Sequence, residues 1–122
     1  IGENNTIVGT VKEITEGKAK VETNTGETVI ANPIAISSVG DKTKMSLRPE
    51  RVSINPENSE NTFDAIVEEI IYHGDHTRVR VNILNDDQFI LKIPNSSDEI
   101  RLNVKDKVQL GWSGYDCRAL DF

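Results

Sequence analysis

Four groups of residues in this chain have types and spacings that could carry chemistry. The first is His73-Gly74-Asp75-His76, two imidazoles and a carboxylate within four positions. A zinc centre needs three or four ligands. The chain's only cysteine, Cys117, lies more than 40 residues away, so the string reads as a hairpin corner. Gly and Asp supply the backbone freedom such a corner needs. Cys117 itself lacks a Cys-His-Asn constellation around it and reads as a small core residue. The second group is the acidic pairs Glu68-Glu69, Asp86-Asp87 and Asp98-Glu99. Neighbours on a strand point to opposite faces, so Glu68 and Glu69 do not converge as an acid–base pair, and solvated surface is the expectation. The third is the six aromatics Phe63, Tyr72, Phe89, Trp112, Tyr115 and Phe122. Single-strand binders set aromatics in a basic groove; here they are sparse and the charge is wrong, so packing is expected. The fourth is Leu47-Arg48-Pro49-Glu50-Arg51. Proline fixes a corner there, and Arg48 and Glu50 are expected to pair locally, a contact worth about 0–1 kcal/mol at a surface.

The elements that position these groups are strands. Val, Ile and Thr number 34 of 122 residues, Leu and Ala only 11, and β-branched side chains fit a pleated sheet. Polar and apolar residues alternate along Lys18–Glu22, Thr77–Ile83 and Lys105–Trp112, the period of a half-buried strand. Turn residues cut the chain at Glu16-Gly17, Asn24-Thr25-Gly26, His73-Gly74-Asp75 and Asn85-Asp86-Asp87. Ten strands are predicted, at about 6–15, 18–23, 27–31, 42–48, 51–55, 61–72, 76–84, 88–93, 107–112 and 117–120. The polar run 55–61 is the linker candidate.

The two sides of that linker resemble each other. Gly9-Thr10-Val11-Lys12-Glu13-Ile14 matches Ala65-Ile66-Val67-Glu68-Glu69-Ile70. Lys18–Val21 matches Arg78–Val81, and Val39-Gly40-Asp41-Lys42 matches Val104-Lys105-Asp106-Lys107. The expected fold is therefore all-β, with OB-like small barrels built from two repeated sets of about five short strands, about 6–55 and 61–122. The alternative is one barrel assembled from both sets.

Charge and composition exclude several classes. Twenty acidic and 14 basic residues leave a formal charge of −6, against a nucleic-acid partner. The excess lies wholly in residues 56–122, with 13 acidic and seven basic residues. No apolar run approaches the roughly 18–20 residues that span a bilayer. Phosphate-loop, nucleophile-elbow and zincin motifs are missing, so residues 1–122 are not expected to be an enzyme or to hold a cofactor.

Several strings together resemble one family. Ser46-Leu47-Arg48-Pro49-Glu50-Arg51-Val52 is similar to the L-R-P-E motif of TOBE domains, the transport-associated OB modules of ABC-importer ATPase subunits. Ile1-Gly2-Glu3-Asn4-Asn5 resembles the junction where an ATPase domain enters that module. Ile71–Thr77 resembles its strand–turn–strand, and Leu110-Gly111-Trp112 with Asp116–Asp121 resembles the closing strands of spermidine/putrescine-type members. The resemblance implies a single accessory domain, 1–122, regulatory or dimerising in role, with an ATPase domain upstream of Ile1. ATP and Mg would be held there. The implied partners are a second copy, two permease subunits and a substrate-binding protein. The implied location is peripheral, on the cytoplasmic side of a bacterial inner membrane. Leu47, Arg48, Pro49, Glu50 and Arg51 would form a structural corner near an inter-domain or dimer contact. Within that reading, Asp75, Asp86, Asp87, Asp98, Glu99 and Asp116 form a candidate patch for a cationic polyamine. A stand-alone OB-type ligand- or protein-binding module is the competing expectation.

Overall fold

The computed structural model describes residues 3–36, 38–95 and 101–122. Among these residues ten strands follow one another: β1 (Asn5–Thr15), β2 (Lys18–Thr23), β3 (Thr28–Pro33), β4 (Lys42–Leu47), β5 (Ser53–Ile54), β6 (Asn61–Tyr72), β7 (His76–Ile83), β8 (Asp86–Pro94), β9 (Lys107–Trp112) and β10 (Arg118–Asp121). All ten predicted strands are present. The clearest differences are at the fifth, where a 3₁₀ turn at Pro49–Arg51 takes the first residue and leaves only Ser53–Ile54, and at the eighth, which is three residues longer than expected; a second 3₁₀ turn, Gly114–Asp116, precedes the tenth. Proline at the first position of the earlier turn has its φ preset for that conformation.

The strands form a closed barrel in the order β1-β2-β3-β10-β4 and a five-stranded sheet in the order β5-β9-β6-β7-β8. The repeat is structural as well as sequential. β1 and β2 shift register between Val11 and Glu13; β6 and β7 shift at the matching place, between Val67 and Glu69. Asn5 pairs with Leu47 across β1 and β4, as Asn61 pairs with Trp112 across β6 and β9. The turns before β4 and β9 also agree. Val11 N–H donates to the Asp41 carbonyl at 2.8 Å, and Val67 N–H to the Asp106 carbonyl at 3.0 Å. Gly40 has φ +96° there, and its counterpart Lys105 has φ +76°. A left-handed backbone disfavours a side chain; the Lys105 ammonium lies 3.0 Å from Glu68, the residue at the register shift.

The two halves exchange their last strands. β5 follows β4 in the chain yet pairs with β9 in the second sheet, Ser53 opposite Gly111. β10 follows β9 yet lies in the barrel, antiparallel to β4 with Arg118 opposite Ser46, and parallel to β3. The polar run 55–60 between them is stitched down: Asn55 N–H donates to the Gln109 carbonyl at 2.7 Å. Gly111 has no room for a side chain, since a Cβ there would lie 2.6 Å from Pro56 Cγ.

One hydrophobic core results. Val11, Val21, Val29, Met45 and Leu47 of the barrel belong to the same buried cluster as Val67, Val79, Phe89, Leu91, Leu110 and Trp112. The aromatics divide as packing demands. Trp112 stacks with Phe89 and tilts against Phe63, with centroids 5.8 and 5.4 Å apart; Tyr72, Tyr115 and Phe122 are exposed.

Two side-chain amides bind the halves reciprocally. Asn5 Nδ2 donates to the Ile90 carbonyl at 2.7 Å, and Ile90 N–H donates to Asn5 Oδ1 at 2.8 Å. Asn61 Nδ2 donates to the Ile30 carbonyl at 2.9 Å, and Ile30 N–H donates to Asn61 Oδ1 at 2.8 Å. Each asparagine is buried and bonds the side of its partner residue that faces away from the neighbouring strand: Ile90 on β8, the last strand of its sheet, and Ile30 on β3, just before the pairing with β10 begins. An amide presents a donor and an acceptor together, so one side chain satisfies both groups of an edge residue. Two ion pairs repeat the arrangement at the surface. Arg78 on β7 reaches back to Glu3 at 2.7 Å, and Lys18 on β2 pairs with Glu60. Both carboxyls are held below their usual range: Glu3 by its hydrogen bonds to Arg78, Glu60 by Lys18 and then by the Gly114 N–H.

Candidate functional site

The corner at Leu47–Arg51 is where the chain leaves the barrel for the second sheet. Leu47 is fully buried and anchors the corner in the core, and Pro49 is buried. Arg48 is extended at φ −74°, ψ 139°, as a residue before proline must be. Val52 N–H closes the turn on the Pro49 carbonyl at 3.4 Å, and the turn packs against β8. The corner thus joins both halves, while Arg48, Glu50 and Arg51 remain exposed.

Facing it is the equivalent turn, Gly114–Asp116. Ser113 Oγ accepts from Tyr115 N–H at 3.2 Å, and Gly114 N–H donates to Glu60 at 2.8 Å. A cleft of about 380 Å3 opens between the two turns, lined by Arg48, Arg51, Tyr115, Asp116 and Arg118, with Asn4, Asn32 and Ser46 at its sides. The expected Arg48–Glu50 ion pair does not form among the described residues. Instead Arg51 Nε lies 4.0 Å from Asp116, with the Arg51 side chain 61% exposed. A contact this long and this wet adds little stability.

Of the six carboxylates of the candidate cation patch, the four that are described do not share one cleft. Asp98 and Glu99 lie outside the described residues. Asp75 is in the β6–β7 hairpin and Asp86 begins β8, so the length of β7 separates them by about 25 Å at strand rise. Asp86 and Asp87 share a second cleft of about 370 Å3 with Asn24, Thr25 and Asn85. They are engaged locally: Gln88 N–H donates to Asp86 at 2.9 Å and Gln88 Nε2 to Asp87 at 2.9 Å. Asp116 faces Arg51 in the first cleft. Adjacent strand residues diverge, and the repeat places its hairpin ends far apart; sequence counted the charges without that geometry. Titrating spermidine into residues 1–122 in a calorimeter is therefore expected to give no saturable heat at millimolar ligand. A one-to-one isotherm would show that the carboxylates converge after all.

His73-Gly74-Asp75-His76 is a hairpin corner. His73 N–H donates to the His76 carbonyl at 2.9 Å. The two rings stack with centroids 4.7 Å apart, and His76 Nδ1 lies 2.7 Å from Asp75 Oδ1. That hydrogen bond holds the Asp75 carboxyl below its ordinary range. Asn95 caps the corner, its Nδ2 donating to the His73 carbonyl at 3.0 Å. Among the described residues no group of three His, Cys, Asp or Glu could hold a metal ion.

Cys117 is fully buried. Burial pushes its thiol up to about 12, opposed by the Trp112 indole N–H and assisted by the Asp116 charge. At pH 8 the thiolate, the reactive form, is scarce in the folded chain. A thiol reagent is expected to label Cys117 only as fast as the chain unfolds, with full labelling in denaturant. Rapid labelling of native protein would contradict this burial.

Asn5, Asn61 and Arg118 fall inside strings that the sequence marks, but their roles are not legible from it. Asn5 and Asn61 stand 56 positions apart, the offset of the first matched repeat, and extending that match back four residues aligns them. The nearness of Arg118 to Arg48 and Arg51 carries no sequence signal, because the three meet only through the strand exchange.

The chain matches the family model described as the TOBE domain over residues 45–120. It is 28% identical, over 98% of its length, to the spermidine/putrescine import ATP-binding protein PotA of Trichodesmium erythraeum, and covers 34% of that protein. It is 29% identical, over 95% of its length, to the protein of the same name from Fusobacterium nucleatum, covering 35% of it. The chain thus spans about a third of the length of these curated relatives. Its fold is similar to a crystal structure of the cytoplasmic molybdate-binding protein ModG with molybdate bound. The TM-score is 0.83 at 12% identity, covering 97% of this chain and 96% of that one.

Proposed function

The chain belongs to the TOBE domain family, and from that membership we propose that it is the regulatory and dimerising module of an ABC-importer ATPase subunit with polyamines as its transported class. The observation that carries this reading is the sequence likeness along 98% and 95% of the chain to proteins named for spermidine/putrescine import and ATP binding. The ATPase domain would precede Ile1 and would hold ATP and Mg. The present residues would contribute no catalytic group. A second copy, two permease subunits and a substrate-binding protein would complete the assembly, peripheral to the cytoplasmic face of an inner membrane. No helix of the described chain is long and apolar enough to cross a membrane.

The corner Leu47–Arg51 suits this role. It is anchored in the core by Leu47 and presents three charged side chains outward. A module of this kind influences an ATPase cycle only through a difference in its contacts between the two arrangements of the ATPase domains. A single core spanning both halves transmits such a difference as a rigid body rather than absorbing it in a hinge.

The test is transport. Spermidine uptake and ATPase-subunit dimerisation would be compared for the natural full-length chain and for one lacking residues 1–122. The proposal expects both to fall while nucleotide binding persists. Unchanged uptake and dimerisation would favour the second reading, a stand-alone OB-type ligand- or protein-binding module. That reading is supported by a core that closes without another domain.

A further inference from the structure

Three of the chain's six arginines, Arg48, Arg51 and Arg118, line the cleft between the two 3₁₀ turns. None of its eight lysines does. Arg78 and Arg80 behave differently: each is paired with a glutamate, Glu3 at 2.7 Å and Glu69 at 3.7 Å. Among the described residues Arg48 and Arg118 make no side-chain hydrogen bond or ion pair, and the sole carboxylate lining the cleft is Asp116, 4.0 Å from Arg51. In a chain of net charge −6, three guanidinia facing one carboxylate make a local positive field against the protein's overall sign.

We propose that this cleft binds the phosphate group of an anionic ligand. The guanidinium fork matches phosphate oxygens through paired, charge-assisted hydrogen bonds, which a lysine cannot reproduce. The carriers are held firmly. Arg48 is fixed between buried Leu47 and buried Pro49, and Arg118 opens the exchanged strand opposite Ser46. Ser46 and Asn32 add neutral donors at the side of the same cleft. Because the arginines are exposed in the free chain, they carry no large desolvation cost before the ligand arrives. Asp116 repels an anion from its own side and so directs phosphate toward Arg48 and Arg118.

The probe is inorganic phosphate titrated into isotope-labelled chain, followed by amide chemical shifts. Saturable shifts are expected at residues 46–51 and 114–118. The double variant Arg48→Gln/Arg118→Gln is expected to weaken binding by about tenfold or more. The variant Lys105→Gln/Lys107→Gln removes the same charge at the far end of β9 from the cleft, from residues that do not line it, and is expected to bind as the parent does. ATP and vesicles of phosphatidylglycerol in phosphatidylcholine, added in separate arms, identify the source of the phosphate. Tighter binding of ATP points to a nucleotide, cosedimentation with the vesicles to a headgroup, and neither to free phosphate. An absence of saturable shifts, or equal weakening by both double variants, would overturn the proposal.

Discussion

Asn5→Ala is expected to destabilise the fold by about 3 kcal/mol, read as a drop of roughly 10 °C in Tm. Ile90 N–H and C=O both bond to the Asn5 amide, at 2.8 and 2.7 Å. Asn5 is 4% exposed and Ile90 6%. Removing the amide orphans two backbone groups at once, and each such group costs about 1–3 kcal/mol when water cannot replace its partner. Asn61→Ala orphans the Ile30 pair in the same way, but those bonds are only part-buried, so its cost is expected to be the smaller of the two. Asn→Asp at either site keeps the acceptor and loses the donor, and is expected to destabilise as well. Denaturant unfolding of the single variants checks the series. Changes below about 0.5 kcal/mol, the range of ordinary surface substitutions, would show that water already serves these edges.

Severing the chain between Asn58 and Ser59 is expected to have the largest effect of all. Neither piece contains a complete sheet. The first lacks β10, which closes the barrel between β3 and β4, and carries β5 unpaired. The second carries β10 unpaired and lacks β5. Each piece also ends the core at the surface that the other covers. Alone, each piece is expected to lack native near-ultraviolet dichroism and cooperative unfolding. Mixed in equal amounts, they are expected to recover both with one shared transition. A piece that folds by itself would show that the exchanged strands contribute little.

The local structure was legible because it is governed by local chemistry. β-Branched alternation located all ten strands, and Gly, Asn and Asp located the corners between them. The match of Val11-Lys12-Glu13 with Val67-Glu68-Glu69 was legible too, and the structure gives it a cause: both strings carry the same register shift against the next strand. The exchange of β5 and β10 was not legible. Two copies of one pattern specify two sets of strands, but not which set receives the last strand, since β5 and β10 present equivalent pairing edges to equivalent neighbours. The arginine cleft was hidden for the same reason. Arg48 and Arg118 stand 70 residues apart, and a spacing of that length specifies no contact. The acidic excess of the second half specifies no site by itself. Charge along a chain does not converge without a fold that brings it together, and these hairpins hold Asp75 and Asp86 at opposite ends of β7.

The central claim is that these 122 residues serve an ATPase. Reading the gene immediately upstream of Ile1 tests it most directly. The account predicts an ATP-binding domain running in frame into Ile1-Gly2-Glu3-Asn4-Asn5, with a G-x-x-x-x-G-K-[ST] phosphate loop. An initiation codon at that point, or an unrelated domain, would contradict it.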